Sequence, residues 1–454
     1  MAYYILKSYS FNGDSFSLFQ KLKNQDYPFF LDSSLNSCSL GRFSFLGCNP
    51  FYILKTKNKD PTGELRELLI RYRIPSLNQV SPFLCGAVGY LGYDLGFLFE
   101  KKLSKKVNDD LFVPDCFFGF YDTVIIYDHF KKVLSLFSSG FPETRYALAK
   151  LRAQARFKEM LRLISETPLK QSKGLTSGKP AAAISLESNF RKERYIAAIK
   201  KAKEYIRRGD IYQVNLAQRF TADTLFSAEE IYRRLRNLSP SFFSAYLDCG
   251  EFQMISSSPE RFLNLKNGYI TTRPMKGTRG RSENKFQDAN FKKQLLNSAK
   301  DKAELMMIVD LERNDLGRVC NYGSVKIESL RTLERYKTVF QTTATISGLL
   351  HKDKDQLDLI KACFPGGSIT GCPKIRAMEI IEELEPHRRA VYTGSFGYLG
   401  FNGNLDLSIL IRTILKKGKR IYFHAGGGIV ADSNPEDEYA ETLVKARAMI
   451  EAIS

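Results

Sequence analysis

The stretch best equipped for chemistry is Thr272-Arg273-Pro274-Met275-Lys276-Gly277-Thr278-Arg279-Gly280-Arg281. One lysine stands among arginines, with glycine directly after it. Neighbouring cations, or removal from water, lower a lysine's pKa towards nucleophilic use. Upstream, beyond an expected hairpin, is Glu260 in Ser257-Ser258-Pro259-Glu260-Arg261. Burial would make it a general acid. On spacing alone the same residues serve equally as a basic surface loop and a helix-capping glutamate. Two acid pairs lie at i, i+3 on expected helices, Asp301/Glu304 and Glu438/Glu441. Such carboxylates could hold Mg²⁺, which prefers oxygen ligands. The same spacing is also common on solvated helix faces. The loop Gly366-Gly367-Ser368-Ile369-Thr370-Gly371 precedes a helix, whose amides could receive an anion. No Gly-Lys-Ser/Thr follows, so it is not a Walker A loop. Gly426-Gly427-Gly428 would let backbone approach a ligand closely. Taken alone, each glycine run reads first as a tight turn.

These residues need elements to place them. Strands are expected at 29–31, 43–47, 51–54, 117–121 and 124–127, punctuated by Asn12-Gly13-Asp14 and Asn49-Pro50. Residues 64–72 form a short helix and 143–166 a long one, with Leu148, Leu151 and Ala155 as its buried stripe. The polar segment 171–187, rich in Gly, Ser and Pro at its start, reads as a linker. It divides an N-terminal region, 1–170, from a catalytic region, 188–454. A helix opening at Ser188-Asn189 repeats Tyr195, Ile199, Ala202 and Ile206, and Gly209 stops it. Strands follow at 211–220, 242–247 and 269–272, then a helix over 299–311. Strands at 394–401, 405–415 and 420–425 precede a last helix starting at Pro435. Its expected stripe is Tyr439, Leu443, Ala446 and Ile450.

Composition sets the limits. The chain of 454 residues is 43% hydrophobic, enough for a large core. Its net charge of +19 favours anionic partners, from nucleic acid to small polyanions. The cations are dispersed, and no nucleic-acid-binding motif is present, so no nucleic-acid partner is expected. Eight cysteines form no C-x-x-C pair, which suits a reduced, cytoplasmic protein. The apolar run 83–99 is broken by four glycines and Asp94, too short to span a bilayer, so no membrane is expected.

The motifs together resemble the chorismate-binding enzymes. The residues that carry this are Ser258-Pro259-Glu260-Arg261-Phe262, Pro274-Met275-Lys276-Gly277-Thr278-Arg279 and Asp310-Leu311-Glu312-Arg313-Asn314-Asp315-Leu316. Gly366 through Glu379 and Ala425-Gly426-Gly427-Gly428-Ile429 agree. The likeness is dense over about 188–450, and weaker at Leu31-Asp32-Ser33-Ser34 and Gly41 through Gly47. It implies an α/β (α+β) fold of two interlocked subdomains. Stacked, largely antiparallel sheets carry helices outside, with the active site in the cleft between them. It implies a cytoplasmic, Mg²⁺-dependent enzyme acting on chorismate, with Glu304, Glu441, Glu438 and Asp301 around the metal. Ser368, Tyr392, Arg412 and Gly426 match positions that hold the substrate's carboxylates, and Gly277, Thr278 and Gly428 complete the expected substrate site. Glu260 matches the acid that helps the C4 hydroxyl leave.

Two positions separate the branches of this family. Water-using members carry a lysine base where this chain has Gln213, which suits an ammonia user. At Lys276 anthranilate and isochorismate synthases usually have alanine, whereas lysine marks the aminodeoxychorismate synthases. There the amine attacks C2, the C4 hydroxyl leaves, and ammonia adds at C4 to give 4-amino-4-deoxychorismate for p-aminobenzoate and folate. A separate glutaminase subunit would supply the ammonia. Gln341 stands where many relatives have histidine, which is compatible with stopping at the aminated product; the alternative expectation is an anthranilate synthase component I, or an enzyme that serves both pathways. The Leu31-Asp32-Ser33-Ser34 segment differs from the Leu-Leu-Glu-Ser of feedback-inhibited relatives, arguing against tryptophan control.

Overall fold

The computed structural model describes residues 3–35, 40–75, 81–100, 103–105, 107–166, 185–336 and 339–454. Most of the expected 171–187 linker therefore lies outside the described residues. Two large sheets, of 12 and 10 strands, are built entirely from antiparallel pairs. Helices cover the outer faces, as the family resemblance implies. The boundary expected near residue 170 does not separate bodies in space. The larger sheet joins Phe29–Asp32 to Phe243–Asp248, and the smaller joins Gly86–Leu91 to Ser395–Gly400. Each sheet thus mixes strands from both regions of the chain.

The core follows from strand alternation. Inward residues of both sheets, among them Phe45, Val88, Phe120, Leu263 and Leu407, form one large cluster. A second lies under the outer helices, with Phe19, Phe30, Tyr232 and Met449. Two expected helix stripes are corrected. In Tyr146–Glu166, Leu148, Leu151 and Ala155 are exposed, and the buried row is Ala149, Ala153, Phe157 and Met160. The small residues let the helix come close: a Cβ on Gly140 would fall 2.5 Å from that of Ala149. In Pro435–Ile453 the buried row is Glu438, Thr442, Ala446 and Met449, while Leu443 is exposed. The helix is rotated so that its acids face the glycine run.

The chain changes sheets at the positions that matter for chemistry. Gln253–Ser258 belongs to the larger sheet and Arg261–Lys266 to the smaller, with Glu260 on the crossing. Leu405–Ile409 and Thr413–Lys417 repeat the move, with Arg412 on the crossing. The crossings are tied together, since Ile409 N–H donates to the Glu260 carbonyl at 3.0 Å and Ser257 N–H to that of Arg412 at 3.1 Å.

Candidate active site

Lys276 sits on a strand, Met275–Gly280, at the rim of the smaller sheet, where sequence reasoning had no strand. The register slips between Lys276 and Thr278, a bulge centred on Gly277. Gly277 has φ +74°, and a Cβ there would stand 2.8 Å from Leu295 Cδ1. Only glycine fits both conditions. The bulge sends Lys276 towards the larger sheet. A Cβ on Gly428 would lie 3.1 Å from Lys276 Nζ and 3.0 Å from Gln213 Nε2. The bare glycine therefore makes room for the lysine and the glutamine together.

The arginines do not crowd the lysine. Arg273 pairs with Glu334, Arg279 with Asp301 and Arg281 with Asp288. Strand alternation and ion pairing turn them aside. Burial lowers the lysine's pKa from its usual range, and the neighbouring cation that assists is Lys445. Glu304, Glu260 and Glu441 oppose the shift. Lys445 was not anticipated, although it lies one turn beyond Glu441 on the same helix. Its ammonium reaches Glu441 at 2.6 Å and the Gly426 carbonyl at 2.8 Å.

Glu260 is buried, and burial pushes its carboxyl up to about 7. Hydrogen bonds from the Ser368 hydroxyl and the Met275 N–H oppose the rise, as does the charge of Lys276. Ser368 thus serves the acid in this arrangement. Behind Glu260 is Glu312, a buried carboxyl that sequence reasoning left inside a motif. It borders a small cavity with Thr272, Asp315 and Gly367, and burial, then Glu260, raise it to about 8. The Thr272 hydroxyl lies 2.7 Å from the Phe262 carbonyl and 2.8 Å from Glu312 Oε2. The Thr272 hydroxyl donates to both, and its bond to Glu312 opposes the rise.

Arg412 is part-buried with φ +50°, and among the described residues no carboxylate pairs with it. Burial lowers its pKa, so the site favours an anion beside it. Tyr392 is buried, stacked on His424 at 4.7 Å. Gly426 lies opposite Ala217 and Gly428 opposite Asn215 on the floor strand Gln213–Asp223. Thr278 is exposed and accepts from Gln341 Nε2 at 3.2 Å.

The expected metal ligands come from two helices, Ala299–Gly317 and Pro435–Ile453. Burial raises Glu304 and Glu438, whereas Lys445 lowers Glu441. Glu438 accepts from Ser433 at 2.7 Å, and its other oxygen lies 3.1 Å from a Cβ placed on Gly427. Asp301 stands aside, held by Arg279 at 3.0 Å. Among the described residues no three donors gather around one point as they lie. The donor chemistry nonetheless suits a hard divalent cation: the buried Glu438, the half-buried Glu304 and the more exposed Glu441, with Lys445 and Lys300 now balancing the charge. Seven described cysteines are free, and no described helix is long and apolar enough to cross a membrane.

The chain matches the family described as chorismate binding enzyme over residues 11–451. It is 39% identical to aminodeoxychorismate synthase component 1 of Klebsiella aerogenes, over 95% of each chain. It is 38% identical to anthranilate synthase component 1 of Acetivibrio thermocellus, over 96% of this chain and 92% of that one. The crystal structure of anthranilate synthase component I from Streptococcus pneumoniae superposes with a TM-score of 0.80 at 32% identity, covering 92% and 93% of the two chains. A menaquinone-specific isochorismate synthase from Escherichia coli, 18% identical with a TM-score of 0.75, shares the fold.

Proposed function

The chain belongs to the chorismate-binding enzyme family, and from that premise we propose that it aminates chorismate to 4-amino-4-deoxychorismate, as an aminodeoxychorismate synthase component 1. Overall identity does not choose between the two kinds of relative, which stand at 39% and 38%. The observation that carries the choice is Lys276: a desolvated amine against Gly428 and Gln213, with the buried acid Glu260 facing it.

In this reading the unprotonated Lys276 amine adds to C2 of chorismate. Glu260 gives its proton to the C4 hydroxyl, which leaves as water while the ring double bonds shift. Ammonia then adds at C4, the bond from C2 to Lys276 breaks, and the proton shed by the new amine restores Glu260. One ammonia is consumed and one water released. Arg412 and Tyr392 hold carboxylate oxygens, while Gly277 and Thr278 shape the wall beside the lysine. Glu304, Glu438 and Glu441 would hold Mg²⁺, with Asp301 acting through Arg279 or a ligand water. When bound, the ion would neutralise the ring carboxylate and draw electrons from the reacting carbons. Lys445 would give up its hold on Glu441. The relatives named component 1 support a partner, proposed here to be a glutaminase subunit that supplies ammonia.

The test is product identity from chorismate, ammonium and Mg²⁺. The aminated, pyruvate-retaining product is expected. Withholding ammonia should leave a covalent adduct on Lys276, visible in the intact mass and absent from Lys276→Ala. That variant should lose roughly a hundredfold or more in rate, the scale of a lost nucleophile. Full activity in it rejects the covalent role. The anthranilate synthase relatives favour a second reading, in which anthranilate and pyruvate appear instead.

A further inference from the structure

One arginine outside the cleft is committed to a place where two helices meet. Arg331 lies on Lys326–Arg335, a strand that pairs only with Val339–Leu349 among the described residues. Its guanidinium donates to three backbone carbonyls: Leu295 and Leu296, each at 2.6 Å, and Ser298 at 3.2 Å. Leu295 and Leu296 belong to the last turn of the helix Lys285–Asn297. Ser298 opens the next helix, Ala299–Gly317, where its hydroxyl accepts from the Asp301 N–H at 3.1 Å. One cation thus holds the end of one helix and the start of another, and it complements the negative end of the first helix's dipole. Little else seats that first helix. Of its 13 residues only Leu295 is buried, so apolar packing gives it one anchor. Its other end is tied by Arg281 to Asp288 at 2.7 Å.

The clamped junction bears on the bulge beside Lys276. A Cβ on Gly277 would stand 2.8 Å from Leu295 Cδ1 and 3.1 Å from both Cβ and Cγ of Asp301. The bare glycine therefore nests between the two residues that flank the clamped turn. Arg331 is itself aimed by a bulge. Ser329 pairs with Thr345 and Thr332 with Thr343, which leaves Leu330 and Arg331 together opposite Ala344. On the other side of the same strand, Lys276 pairs with Thr342. Two bulges flank one stretch of strand, and the helix junction connects them.

We propose that Arg331 is a positioning residue for Lys276: by fixing the helix junction, it fixes the wall against which the lysine's bulge is seated. This rests on the reading of Lys276 as the reacting amine. The action of Arg331 runs through Leu295, Asp301 and Gly277.

The experiment is a double-mutant cycle in steady-state turnover of chorismate, with ammonium chloride as nitrogen source. Arg331→Met keeps much of the stem and loses all three donations. Its kcat should fall about tenfold, with the KM for chorismate within about twofold of wild type, as for a displaced nucleophile in an intact binding site. Arg331→Lys, which keeps a cation with rotatable donors, should stand between. In Gly277→Ala the bulge is already displaced, so adding Arg331→Met should cost no more than about twofold further. Equal losses in the two backgrounds overturn the proposal. So does an unchanged kcat in Arg331→Met, whatever its melting temperature. Where Arg331→Met does not fold, Leu295→Ala takes its place: it removes the same wall, its kcat should also fall about tenfold, and an unchanged kcat there overturns the proposal. If Lys276→Ala turns over as fast as wild type, the reading of the lysine falls instead, a result seen before Arg331 is touched.

Discussion

In the proposed mechanism Glu260 and Lys276 hold opposite protonation states, one acid and one free amine, in the same cleft. Burial works in both directions at once, raising the carboxyl to about 7 and lowering the ammonium from its usual range. Activity should therefore be bell-shaped in pH. Above about 7 the alkaline limb falls as Glu260 loses its proton. Glu260→Gln should lower kcat by about 10²–10⁴ and abolish that alkaline limb; a limb kept in the variant would assign it elsewhere. Glu312 gives a stability prediction. Its carboxyl is raised to about 8, so between the ordinary glutamate value and about 8 the folded state binds more protons than the unfolded. Stability is full below that window and lost as pH rises through it. Glu312→Gln, which keeps an oxygen to accept from Thr272, removes the slope. Its melting temperature relative to wild type should gain a few degrees between about pH 5 and about pH 8. Parallel melting curves at all pH values would refute this.

At the scale of elements, the lysine strand depends on its bulge. Gly277→Ala adds a Cβ that meets Leu295 at 2.8 Å and strains a positive φ. The cost should be about 1–3 kcal/mol in urea unfolding, with kcat falling at least about tenfold because Lys276 moves with the bulge. Unchanged kcat would show that the bulge does not aim the lysine. The buried Arg389 is a second joint. It pairs with Glu385 and donates to the carbonyls of Ile369 and Asn215, binding the glycine loop to the floor strand. Arg389→Met leaves Glu385 buried without its partner and should cost about 3–5 kcal/mol in the same assay. What the sequence made legible follows the same division. Lys276, Glu260 and Gln213 could be singled out because their residue types bear on chemistry and their motifs are long. The strand around Lys276 was missed because two glycines and a lysine in six residues are not a strand composition. The stripe of the last helix was misplaced because Glu438 and Thr442 are buried for what they face rather than for hydrophobicity. Lys445 was invisible, since its contacts arise from a glycine strand folded against it.

At the scale of the molecule, the two regions seen in the sequence are not separable. Phe29–Asp32 is held between strands of its own region and Phe243–Asp248, and Gly86–Leu91 lies between Cys116–Tyr121 and Ser395–Gly400. A fragment over 185–454, expressed alone, would bare two wide sheet edges and much of the apolar layer between the sheets. It should be insoluble or bind a hydrophobic dye, without a cooperative melt. A soluble fragment melting as one unit would contradict this. Net charge belongs to this scale as well. With +19 overall and a dianionic substrate proposed, kcat/KM for chorismate should fall several-fold between low and physiological salt, with kcat nearly constant.

The braided sheets also set a timetable for synthesis. Gly86 pairs with Gly400, so about 300 further residues must leave the ribosome before that strand meets its partner. At about 5–20 residues per second, the wait is on the order of 15–60 s. Throughout it, Gly86–Leu91, a fully buried strand in the finished protein, offers one open edge to any neighbouring chain. The nascent polypeptide is therefore a natural client for a chaperone that shields strand edges, and its yield should depend on that protection more than the finished enzyme's stability does.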